Sequence, residues 1–326
     1  MNTAIVGLGV IGKVHAQVLF DQKKNVTALC DTNIKNAQFV KERFFPNAKI
    51  YSSYEEMIGG EKIDVVHICT PHYLHADMCV LALEKGVNVF CEKPLAISRE
   101  EIDRIIKTEK NSTAILGVCH QNRYLKQNVF LKEYAKNHKL INAFGTLLWN
   151  RGKDYYAQDE WRGKWATEGG GVMINQALHT LDILCWIMGD PSEVVSNVSN
   201  LTLKDVIEVE DTATAIFSGD ANFSFFASNG SKDFFPIEIT LMGEDKNVKV
   251  FENCVVVGEK VKKFKTDKKV YGKVCYGSGH KSIIEDFYNH VESGKKFWLD
   301  ATEGSRVLKL IFAMYESKNQ KIKINK

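Results

Sequence analysis

Asn2-Thr3-Ala4-Ile5-Val6-Gly7-Leu8-Gly9-Val10-Ile11-Gly12 is a short β-prone run followed directly by a glycine-rich turn. A helical apolar pattern continues from Ile11 to about Phe20, and a second β-prone run, Val26 to Cys30, ends at Asp31. Proteins that bind dinucleotides share this order of strand, GxGxxG turn, helix, strand and acidic residue. The sequence therefore predicts a dinucleotide site at the start of the chain.

The three glycines of this turn have different expected tasks. Gly7 would make the tight turn, Gly9 would let the backbone approach a pyrophosphate, and Gly12 would let the helix pack closely on the strand. The N–H groups at the start of the helix, near Val10 and Ile11, would favour the negative charge of the pyrophosphate.

Asp31 lies nineteen residues after Gly12, where a carboxylate can accept hydrogen bonds from both ribose hydroxyls of a dinucleotide. The same charge would repel a 2′-phosphate, and neither Thr32 nor Asn33 offers a positive charge there. These residues favour NAD as the cofactor over NADP.

The alternation of strands and helices continues after Asp31. Further buried strands are predicted at Asp64 to Cys69, Val87 to Cys91 and Thr113 to Val118, which gives a parallel sheet with helices on both faces. Ligands bind beyond the carboxyl ends of such strands, so Thr70-Pro71 and Glu92-Lys93-Pro94 should share a crevice with the glycine turn. A lysine is normally a solvated surface residue, but at this strand end Lys93 is expected to be functional.

The chain of 326 residues is long for one hydrophobic core, so two domains are expected. We predict an NAD-binding Rossmann domain at 1–120 and an α+β domain for substrate binding and oligomerisation at 121–326. A series of strands between Glu193 and Phe264 should form a large, mostly antiparallel sheet with helices on one face. Its open face would suit self-association into a homodimer or homotetramer.

Composition excludes several classes of function. A formal net charge of +3 is too weak for a nucleic-acid partner, and the basic run Lys260 to Lys269 is typical of a solvated edge strand. No apolar run approaches a membrane span, and the start of the chain does not look like a signal peptide, so a cytoplasmic protein without a membrane partner is expected.

The eight cysteines are scattered and form no CxxC pair, which is typical of reduced core residues rather than disulfides or zinc ligands. His72 and His75 lie three residues apart without a neighbouring cysteine or further histidine, so no metal is predicted.

A second notable stretch begins at the glycine run 169–171 and leads into an apolar helix. Asn175, His179 and Asp182 fall on one stripe of that helix. The stripe is either a buried polar network or a catalytic histidine held by its neighbours, and the stretch alone favours neither.

Across essentially its whole length the chain resembles the glucose–fructose oxidoreductase, inositol dehydrogenase and rhizopine-catabolism (Gfo/Idh/MocA) family. The residues that carry the resemblance are the glycine turn 7–12, Thr70-Pro71 with His75, residues 86–89 leading into Glu92-Lys93-Pro94, Trp161-Arg162, and the stretch from Gly169 to Asp182. The resemblance implies NAD(P)-linked oxidation or reduction of a secondary hydroxyl or ketone in sugars, glycosides, cyclitols or nucleotide-sugars.

By position, Lys93 resembles the family's active-site lysine and His179 its catalytic histidine. Asn175 stands where many members have an aspartate; some members acting on nucleotide-linked sugar acids or at the sugar 3-position also look as though they carry Asn. Thr70, Pro71, His75, Glu92 and Lys93 are expected to contact the cofactor along with the turn and Asp31. Candidates for lining the sugar pocket are Arg123, Arg151, Tyr156, Trp161, Asn175, His179 and His280, several of which could equally serve packing between the domains or, for His280, cap a helix.

The expected chemistry is hydride transfer to or from nicotinamide, with His179 exchanging the hydroxyl proton and Lys93 stabilising charge on the same oxygen. The roles of base and stabiliser could also be reversed. Two other classes stay open: a glycosidase that oxidises C3 transiently with NAD and then eliminates the aglycone, and a non-catalytic sugar sensor on the same scaffold.

Overall fold

The chain is described as a computed structural model that covers residues 1–265, 269, 271–272 and 277–324. The described residues form two compact units. The first unit comprises Met1–Tyr124 and the described part of Asp267–Ser305. The second comprises the described parts of Leu125–Thr266 and Arg306–Lys326.

Strands and helices alternate through the first 124 residues. The strands are β1 (Asn2–Val6), β2 (Asn25–Cys30), β3 (Lys49–Tyr51), β4 (Val65–Ile68), β5 (Asn88–Cys91) and β6 (Leu116–Val118). The helices are α1 (Val10–Asp21), α2 (Ile34–Phe44), α3 (Tyr54–Gly60), α4 (His75–Glu84) and α5 (Arg99–Asn111).

These six strands form one parallel sheet in the order β3-β2-β1-β4-β5-β6. The direction of winding reverses between β1 and β4, which is the point where doubly wound sheets bind their ligands. β4 is buried along its whole length, as expected of a parallel strand covered on both faces. The predicted Rossmann sheet is confirmed.

Local sequence explains where several helices begin. The Ser53 hydroxyl accepts a hydrogen bond from the Glu56 N–H at 3.2 Å, and Ser98 does the same for Glu101 at 3.2 Å. Both are capping arrangements that satisfy a backbone donor at a helix start. α2 and β3 were not predicted, because α2 buries only Ala37 and Val40 and β3 is a three-residue edge strand.

The second unit begins with short helices and one long strand. These elements are α6 (Lys126–Asn137), β7 (Leu140–Leu148), α7 (Lys153–Tyr156), α8 (Trp165–Glu168), a π-helical turn (Met173–Ala177) and α9 (Leu178–Met188). Seven strands follow: β8 (Glu193–Ser199), β9 (Thr212–Ser218), β10 (Phe223–Ser228), β11 (Glu238–Gly243), β12 (Asn247–Val250), β13 (Cys254–Val257) and β14 (Lys260–Lys263).

The strands of this unit form a nine-stranded sheet in the order β14-β13-β12-β11-β7-β10-β9-β8-β15, in which β15 is Ile322–Lys323. β7 and β10 pair in parallel and the other neighbours are antiparallel. One face is open: Val195 of β8 is 36% exposed and Ile216 of β9 is 64% exposed. The predicted α+β sheet is confirmed, and the basic segment Lys260–Lys263 is its exposed edge strand.

The end of the chain divides between the two units. α10 (Gly279–Ser293) and α11 (Ala301–Gly304) belong to the first, whereas α12 (Arg306–Ser317) belongs to the second. This differs from the predicted division, which places all of 121–326 in one domain. The reason is packing: Phe287 and Phe297 enter the core formed by β1, α1 and β5, a long-range contact that no local pattern reveals.

Seven cysteines are described, none in a disulfide, and all but Cys254 are buried. Cys275, and Tyr276 before His280, lie outside the described residues. None of the described helices combines the length and apolar character that a membrane span requires.

Candidate active site

The glycine turn of the first unit has the geometry that its sequence predicts. Gly7 adopts φ +80°, and a Cβ there would lie 2.6 Å from the Cys69 carbonyl carbon. A Cβ on Gly12 would lie 1.9 Å from the Gly7 carbonyl oxygen, so helix α1 could not pack so closely with any other residue. A Cβ on Gly9 would meet no atom within 4 Å, which leaves room for a pyrophosphate at the start of α1.

Asp31 is fixed beside this turn at the end of β2. One carboxylate oxygen accepts the Leu8 N–H at 2.7 Å and the other accepts the Asn33 N–H at 2.7 Å. The side chain is half-buried, so its oxygens keep the lone pairs that a ribose diol needs. Together with the open turn, these residues fit the adenosine half of NAD.

His75 holds the neighbouring strand ends together. Its Nδ1 lies 2.7 Å from the Pro94 carbonyl oxygen and its Nε2 lies 2.8 Å from the Thr70 carbonyl oxygen. The ring is fully buried and burial lowers its pKa, so the neutral imidazole donates its single N–H to one of these two carbonyl oxygens. His75 thus lies between the segments that follow β4 and β5 and contacts both Thr70 and Pro94. Its expected contact with the cofactor stays a prediction.

Lys93 follows β5 and is half-buried, and the Lys93–Pro94 peptide is cis. Its backbone N–H donates to Glu92 Oε2 at 3.2 Å. Glu92 itself is only 4% exposed, so its carboxylate lies below the protein surface.

Two predicted pocket residues lie inside the first unit. Arg123 is 1% exposed; its Nη1 lies 2.5 Å from Glu303 Oε1, and its guanidinium lies 5.7 Å from the ring centre of Trp298. His280, in the first turn of α10, is also 1% exposed and its Nε2 lies 3.7 Å from Glu92 Oε1. Both side chains are therefore buried within the first unit, and their contact with a sugar stays a prediction.

In the second unit the glycine run 169–171 forms a tightly packed turn. The buried Glu210 carboxylate accepts the Gly171 N–H at 2.8 Å, the Met173 N–H at 3.0 Å and the Tyr315 hydroxyl at 3.0 Å. A Cβ on Gly171 would lie 1.8 Å from the Glu210 carbonyl oxygen. Burial raises the pKa of Glu210 to about 7 against these hydrogen bonds.

Asn175 lies on the π-helical turn that follows. Its Nδ2 donates to Glu168 Oε1 at 2.6 Å and lies 3.4 Å from the Tyr155 hydroxyl. Glu168 is fully buried, and its second oxygen accepts the Gly163 N–H at 2.5 Å. The Asn175 amide is therefore oriented with its nitrogen toward the carboxylate. Single π-helical turns often occur at functional sites.

The Tyr155 hydroxyl accepts hydrogen bonds from more than one side chain. It accepts from Arg162 Nη1 at 2.6 Å and from Gln176 Nε2 at 3.0 Å. The guanidinium groups of Arg151 and Arg162 lie 5.1 and 4.8 Å from its ring centre. Two arginines thus flank one tyrosine in this unit.

The other predicted pocket residues of this unit differ in exposure. Arg151 also lies 5.0 Å from the ring centre of Trp149, and its Nη1 donates to the Asn150 carbonyl at 3.3 Å. Tyr156 is 6% exposed, and its hydroxyl accepts from Asn229 Nδ2 at 3.1 Å. Trp161 is half-buried, with the Arg162 guanidinium 4.4 Å from its ring centre.

The predicted stripe on the His179 helix divides in the structure. Asn175 and His179 are half-buried, whereas Asp182 is 1% exposed. The extra residue of the π-helical turn separates Asn175 from the regular helix α9, where His179 and Asp182 lie.

Sequence reasoning missed the residues that hold this region. Glu168 and Glu210 are acidic side chains in polar surroundings along the chain, and nothing local indicates that both are buried. Gln176 Oε1 accepts from Asn229 Nδ2 at 3.0 Å across 53 residues, a pairing that only the folded sheet creates.

Comparison with known proteins gives matches over both halves of the chain. Residues 1–120 match the oxidoreductase family with an NAD-binding Rossmann fold, and residues 139–249 match the GFO/IDH/MocA C-terminal domain. The inositol 2-dehydrogenase of Salmonella typhimurium is 26% identical over 90% of this chain and 87% of its own length. The D-glucoside 3-dehydrogenase of Escherichia coli is 24% identical over 97% and 95%.

Solved structures agree in fold. The WlbA dehydrogenase of Bordetella pertussis, in complex with NADH and UDP-GlcNAcA, superposes with a TM-score of 0.85 at 25% identity and covers 99% of this chain and 98% of its own. A levoglucosan dehydrogenase bound to NADH and levoglucosan has the same fold, with a TM-score of 0.85 at 21% identity and full coverage of both chains. With family models matching both its nucleotide-binding and its C-terminal part, the chain belongs to the Gfo/Idh/MocA oxidoreductases and uses NAD.

Proposed function

We propose that this oxidoreductase catalyses a net NAD-dependent oxidation or reduction at a secondary hydroxyl or ketone of a sugar, glycoside, cyclitol or nucleotide-sugar. The observation that carries the proposal lies in the first unit. The open turn at Gly9, the fixed Asp31 carboxylate and Lys93 all lie at the carboxyl edge of one parallel sheet. That is where a doubly wound sheet binds a dinucleotide and its reaction partner.

The bound NAD exchanges a hydride at the nicotinamide ring, and the protein must manage the hydroxyl proton. We assign that proton to His179, since an imidazole exchanges protons near neutral pH. Lys93 would donate a hydrogen bond to the reacting oxygen and stabilise its negative charge. The reversed assignment is tested by the same variants.

Asn175 is proposed to orient the substrate. Glu168 fixes the orientation of this amide group, and an amide oxygen can accept a hydrogen bond from a substrate hydroxyl. The asparagine and the relatives that act at a sugar 3-position or bind a nucleotide-linked sugar acid support testing those two substrate classes first.

The roles of Lys93 and His179 are tested by Lys93→Ala and His179→Ala. Each should lower turnover by roughly 100-fold or more, the loss expected for acid–base catalysis, while NADH binding measured by fluorescence stays intact. Lys85→Ala and His138→Ala are matched controls, because both side chains are exposed, and they should keep full activity. Unchanged turnover in either test variant would remove that residue from the mechanism.

The two alternatives differ in products. A glycosidase that oxidises C3 transiently would release the aglycone without net NADH, and a non-catalytic sensor would do neither. Incubation with NAD and a panel of glycosides, inositols and nucleotide-sugars, with NADH absorbance and aglycone release followed in parallel, separates all three. Net NADH with an intact glycoside supports the proposal.

We also propose a cytoplasmic homodimer or homotetramer. The open face of the nine-stranded sheet, with Val195 and Ile216 exposed, supports self-association. The buried thiols of the described cysteines suit a reducing compartment.

A further inference from the structure

Beneath Lys93, the Glu92 carboxylate lies in a cluster of buried polar side chains of the first unit. His15 of α1 contacts Glu92 Oε1 through Nε2 at 2.9 Å, and His280 of α10 approaches the same oxygen at 3.7 Å. The other oxygen accepts the Lys93 N–H at 3.2 Å, and the Cys119 thiol also hydrogen-bonds the carboxylate. Glu92 is 4% exposed, and the side chains around it are fully buried.

The hydrogen bonds continue away from Glu92 as a chain. His15 Nδ1 lies 2.9 Å from His67 Nδ1, His67 Nε2 lies 3.2 Å from the Tyr288 hydroxyl, and that hydroxyl lies 2.8 Å from Thr3 Oγ1. An ionised Glu92 can only accept, so His15 donates from Nε2 and accepts at Nδ1. His67 then donates from Nδ1 and accepts from Tyr288. One set of neutral tautomers therefore satisfies every link.

This arrangement leaves a buried negative charge. Burial lowers the pKa values of His15 and His67, so both imidazoles are neutral at pH 7. Burial also works to raise the pKa of Glu92, but the hydrogen bond from His15 and the nearby His280 imidazole outweigh it and hold that pKa well below its usual range. Thr3 and Tyr288 are fully buried, so this chain of hydrogen bonds ends inside the unit.

The position of this charge relates it to one end of the cofactor. Asp31, at the end of β2, fits the adenosine ribose, and the start of α1 fits the pyrophosphate. A dinucleotide bound in this way would have its nicotinamide on the other side of the switch point, near the ends of β4 and β5. Glu92 follows β5 directly.

We propose that Glu92 is a fixed buried anion that stabilises the positively charged, oxidised nicotinamide relative to the neutral, reduced ring. Glu92 is thus a positioning residue that biases the bound cofactor toward NAD⁺ and holds the backbone of Lys93. The inference rests on the proposed function only through the use of NAD.

The same donors could be arranged around a divalent metal, since one ligand atom each from His15, Glu92, Cys119 and His280 lie within 4.8 Å of one another. The hydrogen-bonded tautomers account for His15 and the thiol without an ion. Metal analysis of the purified enzyme distinguishes the two arrangements: a fixed anion predicts no stoichiometric zinc.

The test is Glu92→Gln, which removes the charge and keeps the shape. The chain of tautomers can reverse: the amide would donate to His15, His15 to His67, and His67 to Tyr288, so the network can stay satisfied. The dissociation constants of NAD⁺ and NADH are measured by calorimetry without substrate. NAD⁺ binding should weaken roughly tenfold relative to NADH, as expected for the loss of one charge near another in a protein interior.

Tyr288→Phe is the matched control, because it disturbs the same network but leaves the Glu92 charge in place. Its ratio of NAD⁺ to NADH affinity should equal that of the wild type. An unchanged ratio in Glu92→Gln, an equal loss for both nucleotides, or one zinc per chain overturns the proposal.

Should Glu92→Gln not fold, isotope-edited infrared spectra of the wild type read the carboxylate directly. A protonated Glu92 would then overturn the proposal, and an ionised one would support it. Since none of these measurements needs a sugar, failure of the proposed dehydrogenase reaction would leave their outcome readable.

Discussion

Asp31 and Glu92 are acidic residues that directly follow two strands of the same parallel sheet, and their surroundings give them opposite tasks. Asp31 is half-buried and accepts two backbone N–H groups and a 3.5 Å contact from Asn36 Nδ2, and its carboxylate still has lone pairs for a ribose. Glu92 is buried and surrounded by imidazoles, so its influence is electrostatic. Both residues are acidic, but only Asp31 is exposed enough to contact the cofactor directly. Glu92 would act on the cofactor through its charge.

Asp31→Asn should change the choice of cofactor. Loss of the charge weakens hydrogen bonds to the ribose hydroxyls, so the dissociation constant of NAD should rise roughly tenfold, the effect of replacing charged with neutral hydrogen bonds. Binding of NADP should stay the same or tighten, because the repulsion of its 2′-phosphate is gone. Calorimetry with both nucleotides measures this, with the exposed Glu42→Gln as the control. Undiminished preference for NAD would contradict the role of Asp31.

At the scale of single residues, the sequence predicted best what a backbone motif fixes. The tasks of Gly7 and Gly12 follow from the spacing of the turn, and the structure has the corresponding close contacts. The sugar-pocket roles of Arg123 and His280 stay predictions, and the structure shows both side chains buried within the first unit. A charged side chain gives no local sign of burial when its partner, such as Glu303, is 180 residues away.

Among the elements, the turn that leads into α9 shows how a buried carboxylate can hold a backbone. Glu210 receives two N–H groups of the turn and the Tyr315 hydroxyl, and it replaces the partners that the start of a helix lacks. Helical spacing in the sequence predicted α9 itself. The π-helical turn before it was not predicted, because one extra residue in a single helical turn has no sequence signature of its own.

Glu210→Gln should alter how stability depends on pH. The pKa of Glu210 in the fold, about 7, lies above its ordinary value of 4.5, so the folded state holds the proton more tightly than the unfolded state. The wild type therefore loses stability as pH rises from about 5 through 7. Glutamine carries no such titration. Its stability relative to the wild type should improve by up to about 3 kcal/mol between pH 5 and pH 8.5.

Urea unfolding of both proteins at several pH values measures this difference, and Glu193→Gln serves as a control on the solvated β8. A stability difference that does not change with pH would show that Glu210 is ionised throughout the range.

At the scale of the whole molecule, the sequence predicted the folds of both units but not which of the last helices belong to each unit. The six-stranded parallel sheet and the antiparallel sheet follow from the spacing of apolar residues and turns. The sequence did not predict that α10 and α11 belong to the first unit. The pattern of an amphipathic helix does not indicate which apolar surface the helix will cover.

The open sheet gives a prediction for the assembled protein. Ile216→Asp places a charge in the centre of the exposed apolar face, and it should shift a dimer or tetramer toward monomers in light scattering. Ile34→Asp, at an exposed position in the first turn of α2, is the control and should leave the assembly unchanged. An oligomer that survives Ile216→Asp would place the interface elsewhere.

The division of the first unit along the chain has a consequence for synthesis on the ribosome. Ile283, Phe287, Tyr288, Phe297 and Leu299 complete a core whose other members lie mainly in the first 120 residues. At about 5–20 residues per second, the early strands wait roughly ten seconds or more before that apolar surface is covered. All strands of the second sheet except β15 are translated during this interval. The nascent nucleotide-binding unit is therefore the part of this enzyme that most needs protection by chaperones.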